Sequence, residues 1–383
     1  MSVTAPGGFR ATGVAAGLKP SGRPDVAVVV NGGPSDTAAG VFTGNRVQAA
    51  PVIWSRQVLA DGRLRAVVLN SGGANACTGP AGFADTHRTA EHTAGLLGMG
   101  AGEVAVCSTG LIGIRLPMDL LLPGVTKAVA GASATGGPAA AEAICTTDTV
   151  SKQVVRAAGG VTVGGMAKGA AMLAPALATM LVVLTTDAVV DPVTADRLLR
   201  DACRTTFDRV DSDGCMSTND TVLLLANGAS GVRVSAETLA GLVTESCADL
   251  AGQLLADAEG STKTIAITVT GAADEADALE VGRSVARCNL LKCALYGNDP
   301  NWGRVLAAVG TTRASFEPDA LDVAINGVWV CRAGGPGEPR ELVDLTGREV
   351  SIRIDLHAGP SELTVWTNDL TDGYVHENSA YST

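Results

Sequence analysis

The sequence predicts a mixed α/β fold, of the α/β or α+β layered type, around a large buried core. Predicted strands and helices alternate along all 383 residues. Hydrophobic residues make up 46% of the chain, charged residues make up 17%, and the mean hydropathy is +0.25. This composition argues against disorder. Because the chain is longer than one average domain, we expect one large domain or two intertwined domains.

In the first half, short apolar runs predict buried strands and longer amphipathic runs predict helices. The predicted strands are Asp25–Asn31, Ala66–Asn70 and Glu103–Ser108, and the predicted helices are Ala81–Gly98, Met118–Gly131 and Pro138–Cys145. An unusual segment, Val161–Ala178, then combines glycines with a lone lysine and a proline. It directly precedes Thr179–Ala188, an apolar strand candidate that begins abruptly at a threonine.

The second half continues the alternation and contains no internal repeat. Helices are predicted at Pro192–Cys203, Ala236–Ala256 and Asp274–Cys288. Strands are predicted at Thr262–Val269, Leu291–Tyr296, Val323–Val330, Glu349–Leu356 and Glu362–Asn368.

The charge and the cysteine pattern restrict the partners. A net charge of −11 disfavours binding to nucleic acid or to a membrane surface. No apolar run reaches the roughly 18 residues of a membrane span, and Met1–Pro24 lacks the apolar core of a secretory signal, so we expect a cytoplasmic protein. The nine cysteines and four histidines show no zinc-ligand spacing. We therefore expect no metal site, and cysteines that are buried as small hydrophobic residues.

The usual catalytic motifs are absent, which leaves a threonine nucleophile as an attractive hypothesis. The sequence has no nucleophile elbow, P-loop, dinucleotide fingerprint or H-E-x-x-H motif. A threonine at a chain terminus needs no histidine, because its own α-amino group titrates near about 8 and can act as the base. The peptide bond that precedes this threonine must first be cleaved.

The residues around Thr179 resemble the processing site of the ornithine acetyltransferase (glutamate N-acetyltransferase) family. The run from Lys168 to Leu181 ends in A-T-M-L. Members of that family cleave their own chain immediately before the threonine of this sequence. Ala176 and Leu177 depart from the Asn and Met that are common there. Seven further blocks agree in order: Asn75–Gly79 (NACTG), Ser108–Gly113 (STGLIG), Thr146–Thr149 (TTDT), Ser217–Thr221 (STNDT), Glu259–Lys263 (EGSTK), Gly297–Arg304 (GNDPNWGR) and Glu377–Thr383 (ENSAYST).

The resemblance implies a role for each matching residue. Thr179 would be the nucleophile, and cleavage between Ala178 and Thr179 would give the pieces 1–178 and 179–383. Thr109 and Gly110 would form the oxyanion hole. The substrate-binding positions would be Thr146 (with Thr147 as the alternative), Lys168, Thr179, Glu259, Asn378 and Thr383. Taken alone, Lys168 is typical of a solvated loop charge, Thr109–Gly110 of an ordinary turn, and the C-terminal tail of a disordered end.

The resemblance also implies an activity and an architecture. The enzyme would move the acetyl group of N2-acetyl-L-ornithine to L-glutamate through an acetyl-threonine, and some relatives also use acetyl-CoA. The implied fold is a layered α/β/β/α arrangement, with two intertwined pieces paired as α2β2 and no cofactor. Two alternatives remain: an N-terminal-nucleophile aminopeptidase or amidase, and an uncleaved relative that acts as a binding or assembly protein.

Overall fold

The computed structural model describes residues 2–172 and 180–380. The strands of this part are β1 (Phe9–Val14), β2 (Val26–Asn31), β3 (Thr37–Phe42), β4 (Ala66–Asn70), β5 (Val104–Ser108), β6 (Lys152–Ala158), β7 (Val161–Lys168), β8 (Leu181–Thr186), β9 (Thr221–Ala226), β10 (Thr264–Ala272), β11 (Asp322–Ile325), β12 (Val328–Arg332), β13 (Gly335–Pro336), β14 (Glu349–Asp355) and β15 (Ser361–Asn368). The helices are α1 (Ala50–Val58), α2 (Gly79–Leu97), α3 (Met118–Gly131), α4 (Gly137–Ala143), α5 (Pro192–Thr205), α6 (Ala236–Ala256), α7 (Glu275–Ala286), α8 (Asn289–Tyr296), α9 (Trp302–Val309) and α10 (Asp372–Ala380).

Two sheets stacked face to face form the larger unit. The first has the strand order β1-β2-β4-β5 and the second has the order β3-β9-β8-β7-β6. Val29 and Leu69 of the first sheet and Val183 and Leu223 of the second belong to the core between them. Helices α1, α2 and α3 cover the outer face of the first sheet, and α5 and α6 cover that of the second. The layers therefore run α/β/β/α, as predicted.

This stacking explains the unbroken apolar runs of the sequence. All residues of β2 (VAVVVN), β8 (LVVLTT) and β9 (TVLLLA) are buried. A strand that has helices on one face and a second sheet on the other has no solvated side, so its sequence does not alternate between apolar and polar residues.

A third sheet forms a smaller unit in the C-terminal part of the chain. Its strand order is β13-β12-β11-β14-β10-β15, and α7, α8 and α9 contribute to its core. It joins the larger unit where Asp211 N–H donates to Trp366 O at 2.8 Å. No helix in residues 2–172 and 180–380 has both the length and the apolar character that a membrane crossing requires.

The second sheet combines strands from both sides of the predicted cleavage point. Strands β3, β6 and β7 precede residue 178, whereas β8 and β9 follow it. Strand β8 pairs with β7 on one side and with β9 on the other. The pieces 1–178 and 179–383 would thus share one sheet, so the predicted cut does not coincide with a boundary between folded units.

Two predicted strands differ from the structure. Leu291–Tyr296 lies in helix α8, whose buried residues Leu291, Ala294 and Leu295 follow helical spacing; a short apolar run does not distinguish the two element types. Val323–Val330 is a hairpin of β11 and β12 that turns at Asn326 and Gly327. Both turn residues have positive φ, 47° and 85°, which is the Asn-Gly signal for a tight turn.

The structure partly corrects the prediction that the cysteines are buried. All nine cysteines are free, and five of them lie in the core. Cys288 is half-buried, while Cys77, Cys215 and Cys293 are exposed. The prediction therefore holds for Cys107, Cys203, Cys247 and Cys331, which lie in strands or helices, and for Cys145, which follows helix α4.

Candidate active site

Thr109 and Gly110 lie where strand β5 ends. Thr109 N–H donates to Asn70 O at 3.0 Å and Thr109 O accepts from Gly73 N–H at 3.0 Å, so backbone contacts on both sides fix this residue. Gly110 has a φ of 128°, and a Cβ at this position would lie 2.8 Å from Gly73 N. Only glycine fits such a conformation at this closeness. Within the described residues Gly110 N–H donates no hydrogen bond, which leaves it available to a ligand.

Lys168 is the last residue of β7, and its side chain reaches Thr109. Its ammonium donates to Thr109 Oγ1 at 3.3 Å, and the residue is only 1% exposed. The interpretation of Lys168 as a solvated loop charge is therefore wrong. Burial lowers the pKa of Lys168, and the negative charge of Asp148 opposes this shift.

Asp148 connects Thr146 to the chain that follows Lys168. Its Oδ2 accepts from Thr146 N–H at 2.9 Å, and its Oδ1 accepts from Gly169 N–H at 2.7 Å and from the Lys152 ammonium at 2.6 Å. Burial alone would raise the pKa of Asp148, but the charges of Lys168 and Lys152 and the Gly169 hydrogen bond together lower it to about 2. Thr146 is half-buried, as is Thr147.

Glu259 lies beside Ala170, two residues after Lys168 in the chain, and Asn378 contacts Glu259. Glu259 N–H donates to Ala170 O at 2.8 Å, and Glu259 Oε2 accepts from Asn378 Nδ2 at 2.9 Å. Glu259 also lines a cavity of about 300 Å³. The other charged side chains of this Glu259 cavity are Asp213, Lys292 and Asp369.

The ionisable groups of the Glu259 cavity are perturbed by burial. Burial raises the pKa of Asp213, whose carboxylate accepts from Met172 N–H at 2.6 Å, and lowers the pKa of Lys292. The segment from Lys168 to Met172 therefore runs from Thr109 to this cavity.

The C-terminal tail is attached to the site through helix α10. Thr371 Oγ1 donates to Gly260 O at 2.6 Å and accepts from Tyr374 N–H at 3.0 Å. This contact and the Asn378–Glu259 hydrogen bond fix both ends of the helix, although its residues bury little surface. The tail is thus ordered as far as residue 380, unlike a typical chain end.

Three predicted residues, Ala178, Thr179 and Thr383, lie outside the described residues. The described chain resumes at Met180, whose N–H donates to Asp220 Oδ1 at 3.1 Å. Leu181 is the register partner of Lys168 across β7 and β8. The residue that follows the predicted nucleophile is thus held close to the strand end that carries Lys168.

Comparison with known proteins identifies the family. A family profile described as the ArgJ family matches residues 10–383. This chain belongs to the ArgJ family. The family prediction made from the sequence blocks is therefore confirmed.

Relatives in the ArgJ family align along nearly their whole length. The arginine biosynthesis bifunctional protein ArgJ of Streptomyces avermitilis is 68% identical over 382 residues, covering 100% of both chains. The protein of that name from Mycobacterium tuberculosis is 58% identical over 388 residues, covering 99% of this chain and 96% of its own. The crystal structure of M. tuberculosis ornithine acetyltransferase complexed with ornithine is 60% identical, covers 47% of this chain and 96% of that chain, and has a TM-score of 0.44.

Several polar residues of this ArgJ-family site carried no predicted role. Asp148 lies in the TTDT block, and Asn219 and Asp220 lie in the STNDT block. The blocks were therefore the available signal, but only the fold shows which neighbours these side chains hold. In the described part of the chain, no group of three or more His, Cys, Asp or Glu side chains is arranged to hold a metal ion.

Proposed function

We propose that this protein is a self-cleaving glutamate N-acetyltransferase of the ornithine acetyltransferase type, with Thr179 as its nucleophile. The observation that carries the proposal is the buried contact between Lys168 and Thr109. Beside it lie Gly110, whose N–H donates to none of the described residues, and the strand that leads back to residue 180. Thr109, Lys168 and the start of β8 thus lie at one end of the stacked sheets, which supports the proposal. Membership of the ArgJ family supports the same chemistry.

Self-cleavage would use the hydroxyl of Thr179. Its Oγ attacks the carbonyl carbon of Ala178, the C–N bond breaks, and the hydroxyl proton passes to the departing amine. Water then hydrolyses the resulting ester, which yields the carboxylate of Ala178, a free hydroxyl and a free α-amine on Thr179. That amine becomes the base for the second reaction.

Acetyl transfer would repeat this attack on a different carbonyl group. Thr179 Oγ attacks the acetyl carbon of N2-acetyl-L-ornithine, the α-amine accepts the hydroxyl proton, and ornithine leaves with its amino group protonated. The amino group of L-glutamate then attacks the acetyl ester, which releases N-acetyl-L-glutamate and restores the hydroxyl. Both tetrahedral intermediates carry a negative oxygen, which Gly110 N–H and Thr109 O–H would stabilise.

Lys168 would contribute in two ways. Because Thr109 Oγ1 accepts a hydrogen bond from Lys168, the hydrogen of the hydroxyl is free to point at the oxyanion. An ammonium carries three hydrogens, so Lys168 can also bind the substrate carboxylate. Glu259 would bind the side-chain ammonium of ornithine, with its Oε2 oriented by Asn378.

The remaining features of the proposal follow from the resemblance. The substrates are small molecules, no cofactor takes part, and the two cleavage products pair as α2β2 in the cytoplasm. Acetyl-CoA would be an additional acetyl donor if glutamate acetylation is a second activity of this protein, whose relatives bear the name bifunctional protein. The second candidate, an N-terminal-nucleophile amidase, would use the same nucleophile and oxyanion donors with water as the acceptor.

Intact-mass spectrometry and N-terminal sequencing test the cleavage step. We expect two species whose masses correspond to 1–178 and 179–383, with the second beginning Thr-Met-Leu-Val. The Thr179→Ala variant should stay whole and inactive because both reactions use the same hydroxyl. A single full-length species after prolonged incubation of the wild type would contradict the proposal.

A paired assay tests the transfer. N-acetylglutamate formation is measured from acetyl-ornithine and from acetyl-CoA, beside hydrolysis of a small peptide amide. We expect transfer from acetyl-ornithine to exceed amide hydrolysis. The reverse order would favour the amidase, and activity with acetyl-CoA would establish the second donor.

A further inference from the structure

The segment Ser217–Thr221, the STNDT block, links the two halves of the proposed catalytic apparatus. All five of its residues are buried, with exposed fractions between 1% and 7%. It leads directly into β9, the parallel neighbour of the predicted nucleophile strand β8. The mechanism proposed above gives this segment no role.

Asn219 contacts the oxyanion side. Its amide Nδ2 donates to Ser108 O at 2.8 Å and to Ala74 O at 2.6 Å. Ser108 immediately precedes Thr109, and Ala74 follows Gly73, which bonds to Thr109. Thr218 Oγ1 donates to Asn219 Oδ1 at 2.6 Å, which fixes the orientation of this amide.

Asp220 contacts the nucleophile side. Its Oδ1 accepts from Met180 N–H at 3.1 Å, and the next residue, Thr221, donates its N–H to Met180 O at 3.1 Å. Both polar backbone groups of Met180 are therefore held by this one segment. Because Met180 follows Thr179 in the chain, its position limits where the nucleophile can lie.

We propose that Asn219 and Asp220 are positioning residues that set the separation between the proposed oxyanion donors at Thr109–Gly110 and Met180, the residue that leads into the nucleophile strand β8. The inference rests on the proposed function, since it assigns both residues to the same two reactions. Two consecutive side chains point to opposite partners, one on each of the two stacked sheets, so a five-residue segment acts as a spacer between them.

The state of the Asp220 carboxyl agrees with this role. The residue is 1% exposed, and its Oδ2 accepts no well-formed hydrogen bond from the described residues. Burial raises the pKa of Asp220 well above its usual range, while the Met180 N–H, the nearby Ser217 hydroxyl and the charge of Lys168 oppose the shift. A carboxyl that resists ionisation can be replaced by an amide of the same shape without losing the acceptor for Met180.

The test compares variants that keep or remove each contact. Asp220→Asn keeps an acceptor for Met180 N–H, whereas Asp220→Ala and Asn219→Ala remove their contacts. Asn227→Ala is the matched control: Asn227 is also buried, follows the other end of β9, and donates to Gly7 O at 2.8 Å, away from the site. Each protein is assayed for cleavage half-time, for kcat and KM of acetyl transfer in its cleaved fraction, and for the midpoint of thermal unfolding.

A loss of positioning should slow the reaction without weakening binding. We expect Asp220→Ala and Asn219→Ala to slow cleavage and to lower kcat by about 10- to 100-fold, with KM changed less than about threefold. Asp220→Asn should stay within about threefold of the wild type. Asn227→Ala should lower the unfolding midpoint but leave cleavage and kcat within about twofold.

Each contrary outcome has a distinct meaning. Wild-type rates in both alanine variants, or an equal loss of kcat in Asn227→Ala, would overturn the positioning role and leave the proposed function intact. If the Asp220→Asn variant reacts as slowly as Asp220→Ala, then the hydrogen bond from Met180 N–H does not explain the role of Asp220. A wild-type chain that neither cleaves nor transfers acetyl groups would instead overturn the proposed function, and this inference with it.

Discussion

The ammonium of Lys168 donates a hydrogen bond to Thr109 Oγ1 at 3.3 Å, with both residues only 1% exposed. The two are 59 positions apart in the chain. They come from different sheets of the stacked pair, since Thr109 follows β5 and Lys168 ends β7. The contact therefore depends on how the two sheets are aligned at the end where the proposed chemistry occurs.

We expect catalysis to depend on the hydroxyl of Thr109 as a hydrogen-bond donor and not only on the volume of this side chain. Thr109→Val keeps the shape but removes the donor, so we expect kcat to fall about 10²- to 10³-fold, the usual loss for one oxyanion donor. Thr109→Ser keeps the hydroxyl and should retain most of the activity. The measurement is kcat of acetyl transfer in fully cleaved protein; equal activity of Val and Ser variants would reduce Thr109 to a turn residue.

Removal of the Lys168 charge should affect catalysis and binding together. Lys168→Met fills a similar volume without the ammonium, so it loses a charge-assisted hydrogen bond worth roughly 1.5–3 kcal/mol. We expect kcat/KM for acetyl-ornithine to fall by about one to two orders of magnitude. Lys127→Met, on helix α3, is the control and should behave as wild type. Unchanged kcat/KM in Lys168→Met would contradict the assigned role.

Glu259 should select the cationic side chain of the substrate. Glu259→Gln keeps the hydrogen bond with Asn378 but loses the negative charge, so kcat/KM for acetyl-ornithine should fall by about ten-fold or more. The neutral substrate acetyl-norvaline should lose much less. Glu245→Gln, an exposed position on α6, is the control. Equal losses on both substrates would mean that the charge of Glu259 does not determine specificity.

Asp148 should make the protein sensitive to acid. Its folded-state pKa is about 2, below the ordinary 3.8, so its stabilising effect is complete above about pH 5 and is lost as the pH falls through 4 to 2. The full effect is of the order of 2 kcal/mol. We expect the free energy of unfolding of Asp148→Asn to lie below that of the wild type at pH 6, with the difference shrinking at pH 3. Urea titrations at both pH values measure this difference in the free energy of unfolding. A difference that does not change with pH would contradict the lowered pKa of Asp148.

The sequence could predict the elements whose signals are local. Helix α6 has the predicted bounds, Ala236–Ala256, because Ser235 accepts from Thr238 N–H at its start. Strand β4 also has its predicted bounds. The strand predicted at Leu291–Tyr296 was wrong, because this run contains too few residues to show a period and lies in helix α8.

The contacts of the site could not be predicted from local signals. Lys168 carries no mark of burial in the sequence, and its partner Thr109 becomes a neighbour only when two sheets stack. The position of Asn219 within the STNDT block was visible, yet its donation to Ser108 O depends on the same stacking. Family resemblance located these residues; only the fold assigns their partners.

The mixed origin of the second sheet has a consequence for folding. Before the cut, β7 and β8 lie on one chain, so their pairing is an intramolecular event with a rate independent of protein concentration. If the chain is cleaved after residue 178 as proposed, the same pairing would join two separate molecules, and recovery from the denatured state would become a second-order reaction. The cleaved enzyme would thus retain the architecture that its precursor folded, while dilution would slow its reassembly.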